Sequence, residues 1–190
     1  IVDIIFDDPA KATVMARWIA GKLWAFFAHP NPPAGVVDAI AAALQSGWDI
    51  TAALRVLFNR SEFYATASVQ GHVRSPLEYI AAVLKGLLDR AHAADIHPEW
   101  WYPAMGQMPF DPPTVEGWKH NGYWVSTASS AAKADFVRYA SFRLNELGRH
   151  PFAALPADAG AAVDLALATF TVTTPSAGTR AVLVDGLTQQ

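Results

Sequence analysis

The stretch that decides the fold is residues 103–126, Pro-Ala-Met-Gly-Gln-Met-Pro-Phe-Asp-Pro-Pro-Thr-Val-Glu-Gly-Trp-Lys-His-Asn-Gly-Tyr-Trp-Val-Ser. Its prolines fix φ and lack a backbone donor, so neither a long helix nor a central strand can run through it. Disordered segments are poor in aromatic residues, whereas this one contains Phe110, Trp118, Tyr123 and Trp124. The sequence therefore predicts an ordered loop over 92–126 that packs across the rest of the chain.

Helical sequence flanks this loop on both sides. Apolar residues recur every three or four positions, and Asp8-Pro9 and Asp49 are typical N-terminal caps. The strongest local signal is Ser75-Pro76-Leu77-Glu78, a capping box with proline at the first helical position. The predicted helices span about 9–28, 33–46, 50–60, 76–91, 127–147, 157–171 and 176–188. The expected fold is all-α, a single helical domain over 1–190 with one long Pro/Trp-rich loop.

The composition limits the classes of function. The chain is 52% hydrophobic and only 16% charged, below the quarter that is usual for soluble domains. A net charge of −3 gives no electrostatic footprint for nucleic acid. The absence of cysteine excludes disulfides, thiolate metal sites and a cysteine nucleophile. No apolar run has the ~18 residues needed for a membrane span.

The aromatic residues of the loop allow two interpretations. Their flat faces, with carboxylates and amides interleaved, suit the C–H faces and hydroxyls of sugar rings. Alternatively, the rings bury a large area and pin the loop to the helices, and this structural interpretation is favoured. The candidate ligand-binding residues are Trp100, Trp101, Trp118, Tyr123, Trp124 and His120.

Asp111 and Glu116 are weak candidates for catalysis. Paired carboxylates perform acid/base chemistry on glycosidic bonds when they face each other several ångströms apart. Asp111 precedes Pro112, however, and is more simply a turn former. No His-Glu-x-x-His, Gly-x-Ser-x-Gly or phosphate-binding glycine motif is present. The sequence therefore predicts neither a metal nor a cofactor, and leaves open whether the protein is an enzyme.

Several residues have predicted structural roles. Arg17 lies on an otherwise apolar helix face, so we expect a buried partner, with Glu78 or Asp111 suitable. Arg74 and Glu78 are spaced for a hydrogen bond or salt bridge, although Glu78 alternatively serves the capping box of Ser75 alone. Gly117, next to Trp118, is also expected to be structural.

An ordered set of short motifs resembles a known family. The motifs are Ala-Arg-Trp-Ile-Ala-Gly-Lys-Leu-Trp-Ala-Phe-Phe (16–27), Leu-Arg-Val-Leu-Phe-Asn-Arg-Ser-Glu-Phe (54–63), Arg-Ser-Pro-Leu-Glu-Tyr (74–79), Met105-Gly106-Gln107, Pro112-Pro113, Gly117-Trp118 and Trp124. Together they resemble the C-terminal part of the bacterial domain-of-unknown-function 1800 family. The resemblance covers 1–148 well and 149–190 loosely. The chain also opens on Ile1 without a signal peptide, so we expect it to be part, or a processed product, of a longer polypeptide.

The resemblance implies a cellular location and partners, but it does not imply a reaction. Members are large, mostly helical and often exported, and they are commonly encoded beside an exported family that resembles alkaline phosphatases and sulfatases. No activity is established for the family, so no catalytic residues carry over. The implied partners are the N-terminal half of the same protein and a phosphatase/sulfatase-like exported protein. The implied location is periplasmic or secreted, with the cytoplasm as the alternative.

The resulting functional prediction is a helical scaffold or binding module that acts with a partner protein. The alternative is a protein that binds or processes polysaccharide through residues 100–124. A third interpretation is that the segment only completes its N-terminal half.

Overall fold

A computed structural model describes residues 6–87, 93–149 and 154–189. In these ranges the chain forms eight α-helices and no strand, which confirms the all-α prediction. The helices are α1 (Pro9–Phe27), α2 (Ala34–Gln45), α3 (Ile50–Phe58), α4 (Pro76–Leu87), α5 (Tyr102–Met105), α6 (Thr127–Glu146), α7 (Ala159–Thr169) and α8 (Ala177–Thr188). The predicted continuation of α4 to residue 91 lies outside the described residues. No helix in the described ranges is long and apolar enough to cross a membrane.

The chain divides into two compact units, residues 1–73 and 74–190. Each unit has its own core among the described residues. The prediction of a single domain over 1–190 stays a prediction.

The first unit packs α1 against α2 and α3. Asp8 accepts hydrogen bonds from the backbone N–H groups of Ala10 and Lys11, and Pro9 takes the first helical position, as predicted. The buried face of α1 carries small side chains, because Ala12, Ala16 and Ala20 follow one another at a spacing of four residues and let neighbouring helices approach closely. Its large core side chain is Trp24, which is fully buried. The remaining core includes Val36, Ile40, Leu44, Ala53 and Leu57.

The predicted partner of Arg17 was wrong. Arg17 forms its ion pair with Asp38 on α2, instead of with Glu78 or Asp111. Both side chains are about half exposed, at 49% and 52%, so this is a surface pair worth under about 1 kcal/mol. The helical period identifies the face on which Arg17 lies, but does not tell which neighbouring helix supplies a carboxylate.

The second unit begins with the predicted capping box. The Ser75 N–H donates to Oε2 of Glu78 at 2.8 Å, and the Glu78 N–H donates to Oγ of Ser75 at 3.4 Å. These two hydrogen bonds show the capping role of Glu78. The Arg74 guanidinium, which was the other predicted partner of Glu78, donates to Oγ1 of Thr171. The core of this unit joins α4, α5 and α6 through Ile80, Val83, Ile96, Met105, Phe136, Ala140 and Leu144.

Candidate functional site: the aromatic loop

The aromatic loop, residues 93–126, is ordered but built of short helical turns. Three 3₁₀ turns cover Ala93–Ile96, Pro98–Trp100 and Asn121–Trp124, and α5 adds one turn of α-helix. Prolines open two of the turns because their fixed φ suits the first helical positions. No long helix runs through these residues, as their prolines predicted.

One side of the loop is buried against the helices. Trp124 is only 3% exposed, and its indole N–H donates to the backbone carbonyl of Lys119 at 2.9 Å. Trp101 packs against Phe136 and Tyr139 on α6. The Trp101 ring thus packs the loop onto α6, and the Trp124 ring is buried among residues of the loop itself. Their role as ligand-binding residues stays a prediction.

Gln107 is a fastening residue that sequence reasoning missed. It is 5% exposed, and its Oε1 accepts a hydrogen bond from the backbone N–H of Leu77 at 2.9 Å. Leu77 lies in the first turn of α4, whose N–H groups have no intrahelical partner. The loop thus caps α4, and only the quoted Met105-Gly106-Gln107 motif pointed to this position.

A second set of rings stays exposed. Trp100 and Tyr123 are each 63% exposed. The ring of Trp100 stacks on His97 with centroids 4.5 Å apart and planes 8° apart. Nδ1 of His97 lies 3.0 Å from Oε1 of Glu99. The pKa of Glu99 is lowered by its own backbone N–H and by His97. This stack presents one covered and one uncovered aromatic face.

The two remaining predicted ligand candidates are Trp118 and His120. Trp118 is partly buried and tilted against Trp124, with centroids 6.3 Å apart. His120 is exposed. Gly117 has a φ of +84°, which glycine adopts without strain, so its predicted structural role has a physical reason.

Residues 110–116, the tip of the loop, are all exposed and carry its most exposed apolar side chains. Phe110 is 103% exposed and Val115 is 107% exposed, so both stand fully in solvent. Phe110 also has a φ of +63°, in the left-handed region that bulky residues rarely adopt, at a cost of about 1–3 kcal/mol. The sequence indicates this exposure only weakly. Phe110 lies between Pro109 and Pro112, where no helical period predicts a residue for it to pack against.

The two candidate carboxylates are both exposed. Oε2 of Glu116 lies 2.9 Å from Nζ of Lys119, and the Glu116 side chain is 72% exposed. The pKa of Lys119 is raised by this hydrogen bond and by the charge of Glu116. A general acid for glycosidic cleavage usually lies in an apolar site, whereas Asp111 and Glu116 are both exposed to solvent. Among the described residues, no three His, Asp or Glu side chains come together as metal ligands.

Lys133 on α6 holds the end of the loop. Its Nζ donates to the backbone carbonyl of Trp124 at 3.3 Å and lies 5.6 Å from the ring centroid of Tyr79. Tyr79 in turn donates its hydroxyl hydrogen to the carbonyl of Lys133. Burial lowers the pKa of Lys133 and raises that of Tyr79, because it disfavours each charged form.

We expect the pKa values of Lys133 and Lys119 to be shifted in opposite directions. The pKa of Lys133 should lie below the ordinary lysine value of 10.5, and the pKa of Lys119 above it. At pH values between the folded pKa of Lys133 and its higher unfolded pKa, the unfolded chain binds more protons than the folded chain. In this range Lys133 therefore makes the stability of the fold rise with pH. Lys119 stabilises the folded chain at pH values below its unfolded pKa, and this contribution is lost as the pH rises through its folded pKa. NMR titration of ¹³C-dimethylated lysines measures both, with Lys133→Arg and Lys119→Arg identifying the signals. Equal pKa values would contradict the burial of Lys133.

The described structure is that of an all-α protein whose aromatic loop is fastened to α4 and α6 of the second unit. Residues 1–190 match the family described as Protein of unknown function (DUF1800). The chain belongs to this family, as its motifs predicted, and the match extends over residues 149–190, which the motifs covered loosely. No curated protein and no solved structure matches the chain.

Proposed function

We propose that the protein is a binding module for another protein, and that the tip of the aromatic loop enters an apolar pocket of that partner. The observation that carries this proposal is Phe110, a fully exposed aromatic ring on left-handed backbone. Exposed aromatic residues that fill a partner's pocket dominate the energy of many interfaces.

The buried side of the loop supports this role. Trp101 packs on α6, Gln107 accepts from the first turn of α4, and Lys133 of α6 donates to the Trp124 carbonyl, so these three contacts fix the loop to the two helices. A fixed base presents the tip in one conformation, so less entropy is lost on binding. Backbone strain at a residue that has no packing role in the chain also fits a functional position better than a structural one.

The first test replaces Phe110 with asparagine, which tolerates left-handed backbone. Because the ring contacts solvent and the strain is relieved, we expect the free energy of unfolding to stay equal or rise by about 1 kcal/mol. Partner binding should weaken at least tenfold, as for an interface hot spot. Denaturant unfolding gives the stability.

The partner is found by photo-crosslinking in the native cell. A benzophenone amino acid replaces Phe110 in the full chain, and the matched control places it at Ala131, an exposed position on α6. One protein captured at 110 but not at 131, and bound more weakly by Phe110→Asn, supports the proposal. Equal capture at both positions, or unchanged affinity of the variant, contradicts it.

The polysaccharide alternative depends on a different observation, the exposed faces of Trp100 and Tyr123. These rings, with His97 and Glu99 beside Trp100, offer a stacking surface with hydrogen-bonding groups at its edge. Tryptophan fluorescence during titration with soluble polysaccharides tests this alternative. Saturable quenching that is lost in Trp100→Ala and kept in Phe110→Asn would favour it over protein binding.

We also propose, from the family resemblance, that the protein is exported and acts beside a phosphatase/sulfatase-like protein and the N-terminal half of its own polypeptide. Fractionation of the native cell tests the location. Identification of the protein crosslinked at position 110 tests the partner.

A further inference from the structure

The chain contains two aspartyl-proline peptide bonds, Asp8-Pro9 and Asp111-Pro112. Such bonds hydrolyse in mild acid more readily than other peptide bonds, for two chemical reasons. The aspartate carboxylate can close a five-membered ring onto its own carbonyl carbon, and the tertiary amide nitrogen of proline takes up the proton that makes it a leaving group more readily than a secondary amide does. An intramolecular attack is fast only when the reacting groups are free to reach the right geometry. The surroundings of the two carboxylates therefore decide which bond is labile in the folded chain.

The carboxylate of Asp8 is held in place. Its Oδ1 accepts hydrogen bonds from the backbone N–H groups of Ala10 and Lys11 at 3.0 and 3.3 Å, and its Oδ2 lies 3.1 Å from Nζ of Lys11. The side-chain hydrogen bond from Lys11 is the main cause that lowers the pKa of Asp8, so these contacts persist in mild acid. The carbonyl oxygen of Asp8 also accepts from the backbone N–H of Ala12 at 2.9 Å. Attack on this carbonyl carbon would have to break the N-terminal cap of α1.

The carboxylate of Asp111 is free of such contacts. Asp111 and Pro112 are both exposed and lie between the helical turns of the aromatic loop. Among the described residues, the Asp111 side chain takes part in no hydrogen bond and no ion pair. The next charged residues along the chain, Glu116 and Lys119, form an ion pair with each other at 2.9 Å. Exposure alone does not separate the two aspartates, since the Asp8 side chain is itself 41% exposed, whereas hydrogen bonding does.

We propose that the folded chain hydrolyses spontaneously at the Asp111-Pro112 bond in mild acid, while the cap of α1 protects Asp8-Pro9. A carboxylate oxygen of Asp111 forms a bond to the carbonyl carbon of its own residue. The bond from that carbon to the Pro112 nitrogen breaks, and the nitrogen leaves as an amine with a proton from solvent. Water then opens the cyclic anhydride, so the products are a C-terminal Asp111 and an N-terminal Pro112.

The two cut pieces should stay together in the second unit. Helices α4 and α5, before the bond, share one core with α6, which follows it. The loop is also fastened on both sides of the bond, through Gln107 before it and through the carbonyl of Trp124 after it. Phe110 directly precedes Asp111, so the cut would free its left-handed backbone and end the fixed presentation of its ring. This last consequence rests on the proposed function, whereas the cleavage itself does not.

The test follows the mass of the full chain during incubation at the lowest pH at which its tryptophan fluorescence is that of the folded protein. Denaturing mass spectrometry should show fragments 1–111 and 112–190, while size-exclusion chromatography at neutral pH keeps them in one peak. Asp111→Glu keeps the charge but requires a six-membered ring, so it should slow the cleavage at least about tenfold. Pro112→Ala keeps the carboxylate but removes the tertiary amide, and it should also slow the cleavage.

The matched control is the second bond of the same chain. Incubation at the same pH in denaturant removes the cap of α1, so we expect the fragment 9–190 to appear there in addition to the cut after Asp111. In the folded chain the cut after Asp8 should be at least about tenfold slower than the cut after Asp111.

Four results would overturn the inference. They are equal rates of cleavage at the two bonds in the folded chain, an unchanged rate in Asp111→Glu, a cut that protease inhibitors abolish, and a folded chain that stays intact while the denatured chain is cleaved at both bonds. The last result would mean that the loop holds the Asp111 carboxylate away from its own carbonyl carbon. None of these measurements involves the partner of Phe110, so failure of the cleavage and failure of the proposed function are told apart.

Discussion

Replacing Trp124 with alanine is expected to lower the free energy of unfolding of the second unit by about 3–5 kcal/mol, the usual cost of truncating a buried tryptophan. The ring is 3% exposed and contacts Trp118 and Tyr123. The substitution also removes the indole N–H donor to the carbonyl of Lys119. Since the Trp124 carbonyl accepts the hydrogen bond from Lys133, loss of the ring should also loosen the end of the loop.

The matched control for this prediction is Trp100→Ala. Trp100 is 63% exposed and stacks mainly on His97, so its loss should cost about 1 kcal/mol or less. Denaturant unfolding gives the total effect, and hydrogen exchange followed by mass spectrometry locates it by comparing peptides of α6 and α2. Equal destabilisation by the two variants would mean that burial of the ring does not make Trp124 contribute more to stability than Trp100.

This contrast also decides how the loop residues are interpreted. A glycan that still binds Trp124→Ala at temperatures where the variant is folded would remove Trp124 from the candidate ligand set. A glycan that fails to bind only Trp100→Ala would place the ligand on the exposed stack. The structural and ligand interpretations of the aromatic residues can therefore hold for different rings of the same loop.

Local signals made the helices predictable. Asp8, Asp49 and the Ser75–Glu78 box act within one helical turn, so a sequence alone contains both partners of each hydrogen bond. The bounds of α1, α6 and α8 accordingly lie within a few residues of the prediction. The family resemblance was predictable for a similar reason, because an ordered set of short motifs is specific even though each motif is weak.

Contacts between distant residues were not predictable in the same way. The partner of Arg17 is 21 residues away and the donor to Gln107 is 30 residues away, and no periodicity connects such pairs. The sequence placed Trp100 and Trp124 in one candidate set, although packing separates them into an exposed and a buried ring. Phe110 was counted as evidence for order, whereas the structure shows it as the most exposed aromatic residue of the loop.

Gly71→Ala is expected to destabilise the first unit by about 2–3 kcal/mol, the cost of overpacking a rigid site. A Cβ at this position would lie 2.6 Å from the carbonyl oxygen of Ala28 and 2.8 Å from Cβ of His29. Both atoms belong to, or sit next to, the backbone, so neither can move aside as a flexible side chain would. The end of α1 must shift instead, and with it the edge-on contact between His29 and the buried Trp24.

The control is Gly21→Ala in the middle of α1, where an added Cβ meets no atom within 4 Å. This variant should stabilise the first unit by about 0.5–1 kcal/mol, because alanine loses less backbone entropy in a helix than glycine. Hydrogen exchange in peptides of α1 and α2 reports the first unit directly, while exchange in α6 should stay unchanged for both variants. The same added methyl group thus has opposite effects at two positions of one unit. Equal protection in the two variants would show that the chain at Gly71 yields without cost, and that the close approach to Ala28 and His29 does not hold the end of α1.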